Sequence, residues 1–317
     1  MAAGSGDTAV GGAKPGLIGR RASHACCAVR GALVVLGGET PFHEDTSGRS
    51  VLETTPTSAV EMLAQREGAF FNAPPLPFGG IAGAAAITVD ESDSAAGQVL
   101  LLGGRVGCGP SENNVVPTRS VQTVHLVDLA TGACTPQPNL LCACSESVAA
   151  RLLDGRVIYA GGVGDGGDSL SLAEVLEPLV LGATAATRTW RALPSLSVGR
   201  KGCAGCVLSD GRFAVLGGKI PNDHRGFFRT SSCEALSSGV GGHWKALPPM
   251  HHSRFDISCA AVAKCVIVAG GQFECHCSNC RMEVFDEVLD RWLIPPCNLS
   301  HSGGALQSTG RALLSDC

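Results

Sequence analysis

The 317-residue chain is poor in aromatic residues, which make up 4% of it, and it holds a single tyrosine. It is poor in charge as well: Asp, Glu, Lys and Arg together reach 16%, too few for a coiled coil or a solvated tail. The 24 basic and 28 acidic residues leave a net charge of −4, and no block of five like charges occurs, which argues against nucleic acid as a partner. No stretch reaches the roughly 18 uncharged apolar residues of a membrane-spanning helix. Met1 to Arg21 lacks the apolar run of a secretory signal. These absences lead to the expectation of a cytoplasmic protein that binds neither membrane nor nucleic acid.

In excess are turn formers and small residues. The 42 glycines and 17 prolines make up about 19% of the chain, against about 12% in average proteins. Without a Gly-X-Y period they exclude collagen and point to short strands joined by tight turns. The apolar fraction of 44% suffices for a core. In a reducing compartment the 16 cysteines are expected to serve mostly as small core residues.

One pattern recurs five times: a short apolar run closed by a glycine pair, in Ala32 to Gly38, Gln98 to Gly104, Arg156 to Gly162, Arg212 to Gly218 and Cys265 to Gly271. The first glycines stand at 37, 103, 161, 217 and 270, a spacing that shrinks toward the ~50 residues of one propeller blade. Each run is β-branched or aliphatic and too short for a helix, so it predicts a buried strand. Asp154-Gly155 and Asp210-Gly211 predict a two-residue hairpin turn with both residues at positive φ, with Arg30-Gly31 in the equivalent place. A third strand is expected where a Glu lies among apolar residues, at Glu61, Glu174, Glu234 and Glu283. A fourth is expected at Trp190, Trp244 and Trp292. Four antiparallel strands per repeat predict an all-β fold of propeller blades.

With its glycine pairs, Asp-Gly turns, fourth-strand Trp and blade-opening Arg21 and Arg254, the chain resembles the Kelch repeat family from about residue 21 to 314. In the blade-opening place Lys201 stands beside Arg200. The sequence departs from the family in lacking the third-strand Tyr, its one Tyr159 lying in a second strand. Blades 1 and 2 have Phe70-Phe71 and Cys134 in place of Trp. The resemblance implies a Kelch-type β-propeller over 21–317, with five full blades and a partial sixth, preceded by a flexible Gly- and Ala-rich segment at 1–20. Gly6 to Gly19 would supply the outer strands of a closing sixth blade; a five-bladed ring with a frayed tail is the alternative.

On such blades the loops after the second strands and the blade connections share one face. The residues expected to bind there are Arg200, Asn222, Asp223, His224, Arg225, Phe227, Phe228, Arg229, His251, Arg254 and Phe273. Mixed charge with aromatics suits a protein or peptide partner. A blade-opening Arg can instead brace neighbouring blades through its fork of donors, so Arg254 has two readings. Cys275, His276, Cys277 and Cys280 are weak metal candidates, because no second CxxC pair lies close by. Cys203 and Cys206 have that spacing but alternate to opposite faces of a strand.

The reading is therefore a non-enzymatic interaction module without a cofactor. The resemblance implies roles in substrate recognition for ubiquitin ligases, in actin or cytoskeletal binding, or in scaffolding. Galactose-oxidase-like copper chemistry needs two tyrosines and is disfavoured. The alternative is a propeller enzyme or metal-dependent factor of the specifier or sugar-modifying type, using His43, Glu44, Asp223 and His224.

Overall fold

The computed structural model describes residues 16–40, 43–44, 50–51, 55–64, 68–89, 94–109, 116–177, 189–221, 226–237, 242–272, 282–295 and 311–313. Every regular element among them is a strand. Five antiparallel units of four strands follow one another along the chain, each ordered from first strand to fourth. Blade 1 comprises Ala25–Val29, Ala32–Leu36, Val60–Ala64 and Phe71–Ala73. Blade 2 comprises Ala85–Val89, Gln98–Leu102, Val124–Asp128 and Cys134–Gln137. Blade 3 comprises Val148–Arg151, Val157–Ala160, Ala173–Leu176 and Trp190–Ala192. Blade 4 comprises Ala204–Val207, Phe213–Leu216, Cys233–Leu236 and Trp244–Leu247. Blade 5 comprises Ser258–Val262, Cys265–Ala269, Glu283–Asp286 and Arg291–Leu293.

The first strands of successive blades lie side by side, an arrangement that small residues permit. Ala85, Ala86, Ala149, Ala204 and Gly205 crowd there around a void of only about 20 Å³. The apolar core is divided among the junctions between blades: Val34 and Leu36 of blade 1 pack with Val99 and Leu101 of blade 2, and Leu216 of blade 4 packs with Val266 and Val268 of blade 5. Cys203 and Cys206 face two different junctions, as strand alternation requires. The described cysteines are free thiols, and burial pushes Cys27 up to about 12. The fourth-strand tryptophans rivet blade to blade: Trp190, Trp244 and Trp292 donate their indole N–H to the carbonyls of Pro138, Pro194 and Pro248 in the preceding linker, at 2.9, 2.7 and 2.8 Å.

The glycine pair has a packing cause. Gly217 and Gly218 have φ of +59° and +105°, and a Cβ on Gly217 would stand 2.7 Å from the Arg254 carbonyl of the incoming linker. That carbonyl accepts the Gly218 N–H at 2.9 Å, and Gly38, Gly104 and Gly162 donate alike to Ile81, Cys144 and Arg200, so these four pairs seat the next blade's entry.

The turns correct one expectation. At Arg30-Gly31 both residues have positive φ, and Ala263-Lys264 does the same, as a two-residue turn needs. At Asp154-Gly155 and Asp210-Gly211 only the glycine does, and Leu152 N–H reaches the Arg156 carbonyl across a three-residue loop. The extra residue lengthens blade 4's opening. Arg200 reaches Gly217 from 17 residues away, where Arg21 and Arg254 reach their glycines from 16. Arg200, not Lys201, is therefore the blade-opening arginine.

At the chain ends, the backbone of Arg311–Leu313 pairs in parallel with Ala25–Cys27, and Leu313 pairs with Cys259 of blade 5. Of the segment Gly6 to Gly19, only Gly16 to Gly19 is described. It forms no blade strand and lies against blade 1.

Candidate functional site

Linkers between blades carry backbone N–H groups that no strand satisfies, and an inward-facing third-strand residue receives them. Glu61 accepts the N–H of Ile18 and Gly19, Glu234 that of Ser197, and Glu283 those of His251 and His252, all within 3.2 Å. A buried carboxylate needs a countercharge as well, and three residues past the first donor of each linker an Arg supplies it. Arg21 meets Glu61, while Arg200 meets Glu234 at 2.8 Å and Arg254 meets Glu283 at 2.5 Å. The same guanidinium groups reach the carbonyl of the blade's first paired glycine, Gly37, Gly217 or Gly270. Arg200 and Arg254 are 1% and 0% exposed, so both expected binding residues are braces set below the loop face.

Blades 2 and 3 break the pattern. Leu76, Leu140, Leu196 and Met250 each donate to a carbonyl two residues ahead of the third strand of the blade before, which fixes a common register. Four residues on stand Gly80, Cys144, Arg200 and Arg254. In blade 2 the Glu position is His125, on which Phe78 stacks with ring centroids 4.3 Å apart. In blade 3 Glu174 remains and accepts the Leu141 N–H at 2.8 Å, but Cys144 stands in for Arg. Tyr159, paired with Glu174 across the strands, fills the space, its hydroxyl donating to the Cys144 carbonyl at 3.3 Å. Oε1 of Glu174 is buried with no hydrogen-bond partner among the described residues. Burial accordingly raises the Glu174 carboxyl above the usual range, against the lowering pull of the Leu141 and Cys142 N–H groups. At Glu283 burial pulls the same way, but the N–H of His251, the Arg254 charge and both His rings outweigh it and hold the carboxyl low.

Above these braces, the second-to-third-strand loops form the loop face. Blade 1 contributes Glu39–Thr40 paired with Thr55–Pro56, and blade 2 contributes Arg105–Gly107 paired with Thr118–Ser120. Blade 4 contributes a hairpin of Lys219–Pro221 and Phe227–Arg229. At the centre, Ser23, Gly83, Glu146, Gly202 and Asp256 follow one another blade by blade. Each N–H from Gly83 onward donates to the preceding carbonyl, at 2.7 to 3.3 Å. Ser23, Gly83, Glu146 and Asp256 line a polar pit of about 90 Å³ together with Lys219 and His24. Arg105 spans three blades there, donating to Glu39 at 2.6 Å and Glu146 at 3.1 Å. His24 is held neutral, lowered to about 4 by burial and then by the Arg21 charge.

The blade 4 hairpin brings together Phe227, Phe228 and Arg229 of the expected binding residues. Phe227 and Phe228 are 42% and 57% exposed. Arg229 and Lys219 pair across the hairpin and lie over the buried Phe255 ring at 5.4 and 3.7 Å, while Lys201 lies over Phe227 at 4.1 Å. His251 sits apart in the blade 5 linker, its ring 3.0 Å from Glu283. Asn222, Asp223, His224, Arg225 and Phe273 lie outside the described residues, as do Cys275, His276, Cys277 and Cys280. His43 and Glu44 are described only as a two-residue strand. No group of three His, Cys, Asp or Glu suited to a metal ion occurs among the described residues. Sequence reasoning passed over Lys219, Phe255, Glu146 and Asp256. The last two stand two residues past Cys144 and Arg254, a spacing that could have revealed them.

Four-stranded antiparallel blades of this kind define an all-β, propeller-type architecture. A solved structure of YjhT shares it: the two align with a TM-score of 0.63 at 13% identity, over 88% of this chain and 84% of that one. No protein-family model and no curated protein sequence matches the chain. No helix among the described residues is long and apolar enough to cross a membrane.

Proposed function

We propose that the chain is a Kelch-type propeller that works without catalysis, holding a protein partner on its loop face as a cytoplasmic scaffold or substrate-recognition subunit. The observation that carries this reading is the blade 4 hairpin, where two adjacent phenylalanines stand exposed on hydrogen-bonded backbone beside cations. Exposed aromatics on a rigid element lose little entropy on docking, and aromatic and Arg anchors dominate interface energetics. Ubiquitin-ligase components and actin are the partner classes the Kelch resemblance adds.

The test is affinity capture from native lysate with mass spectrometry, comparing wild type with Phe227→Ser/Phe228→Ser at equal thermal midpoint. Partners held by wild type are expected to fall at least tenfold with the variant. Capture that does not change with the hairpin sinks the reading.

A further inference from the structure

Around the blade 4 hairpin, positive charges gather that no ion pair among the described residues neutralises. Lys219 stands directly across from Arg229 in the hairpin, and an isolated bridge sets Lys201 beside Lys219 on its other side. Three cations thus lie side by side, two on the hairpin strands and one on the linker bridged to them. Like charges directly opposite one another oppose folding, and proteins ordinarily relieve them with a carboxylate. Among the described residues none of the three forms an ion pair. They rest on the Phe227 and Phe255 ring faces instead, and Nε of Arg229 is buried with no hydrogen-bond partner among the described residues. Glu146 and Asp256 line the adjoining pit, but Glu146 is committed to Arg105.

We infer that this face takes an acidic segment of a partner protein, whose Asp or Glu carboxylates lie among Lys201, Lys219 and Arg229 while apolar side chains cover Phe227 and Phe228. The inference rests on the docking function proposed above and adds the partner's chemistry. Alternation puts Phe227, Arg229 and Lys219 on one side of the hairpin and Phe228 on the other, so a peptide crossing its edge meets charge first and an aromatic next. Ring faces hold the cations in place, and all three side chains are only half-buried, so an anion can reach them. Nucleic acid would meet the same cations, but three of them at one spot form no basic stripe along which a phosphate backbone could run.

The experiment is a selection of random twelve-residue peptides displayed on phage, carried out on three folded forms of the chain with matching thermal midpoints. These are wild type, Lys201→Gln/Lys219→Gln/Arg229→Gln, and Phe227→Ser/Phe228→Ser. Wild type is expected to enrich peptides rich in Asp and Glu with an interspersed apolar residue. The best of these, made synthetically, should bind the triple variant at least tenfold more weakly and weaken as NaCl rises. Peptides that depend on Phe227 and Phe228 but carry no acidic bias, or acidic peptides that bind the triple variant equally well, overturn the inference and leave the docking face standing. If wild type selects nothing that depends on the hairpin, the docking function fails together with it. Displacement of the selected peptides by oligouridylate at lower concentration than by free peptide would overturn the inference in favour of nucleic acid.

Discussion

Two glutamates at the same place in their blades live under opposite electrostatics. Glu283 is fully buried and receives Arg254, two linker N–H groups and two imidazoles. Its carboxyl is held below the usual range in the folded state. Its stabilisation is therefore full above the unfolded value and is lost as pH falls through the folded one. Among the described residues Glu174 meets no cation and has one orphan oxygen, and its carboxyl is raised. There the native state favours the proton, so stability declines as pH climbs from the unfolded value through the raised one. Glu283→Gln should cost about 3–5 kcal/mol at neutral pH, because it strands the buried Arg254. Glu174→Gln should instead gain about 1 kcal/mol, because the neutral amide escapes the desolvation cost. Urea unfolding from about pH 7 down to about pH 4 separates them: the Glu174→Gln gain should shrink as the raised Glu174 carboxyl takes up its proton, while most of the Glu283→Gln cost should persist, because the Glu283 carboxyl is held low and stays ionised.

Within a blade, the clamp is a matched set of three positions, and only some of it could be read from sequence. Val35, Val215 and Val268 lie across the strands from Glu61, Glu234 and Glu283, while Tyr159 lies across from Glu174. Arg with Val fills the same space as Cys with Tyr. Cys144→Arg alone should therefore destabilise blade 3 by overpacking against Tyr159, and Tyr159→Val alone should leave a cavity. Together they should rebuild the clamp of blades 1, 4 and 5, and the double variant should be more stable than the sum of the singles by about 2 kcal/mol. Additivity within about 0.5 kcal/mol, measured by chemical denaturation, would show that the three positions are independent. The strands themselves were legible because glycine pairs and apolar runs are local signals. The third-strand Glu was visible but mute: its partners lie between 29 and 43 residues away, where no periodicity reaches. The single tyrosine read as a family departure, and its place beside Cys144 gives it a packing role. Arg200 and Lys201 were confused because one extra turn residue at Asp210-Gly211 shifts the count.

Across the whole molecule the inter-blade fastenings are uneven. Blades 4 and 5 have both the Arg–Glu clamp and the tryptophan rivet, blade 1 has the clamp, and blade 3 has the rivet with an unneutralised Glu174. Blade 2 has neither, holding its linker with the Phe78–His125 stack and placing Cys134 where Trp stands in blades 3 to 5. Burial lowers His125, so this stack weakens once acid protonates the ring. The loop face inherits the difference: the blade 4 hairpin stands on the most firmly fastened part of the chain, as a recognition element must if docking is not to lose its gain in ordering. The expected outcome is graded hydrogen exchange. Peptides covering Val124–Asp128 of blade 2 should open at a free energy about 3 kcal/mol below those covering Cys233–Leu236 of blade 4, roughly a hundredfold in exchange rate. Equal protection in the two strands would mean that the shared apolar junctions, rather than the clamps and rivets, set the cooperativity of the fold. A difference of the predicted size would place the weak point of the molecule beside blade 2, away from the proposed docking hairpin.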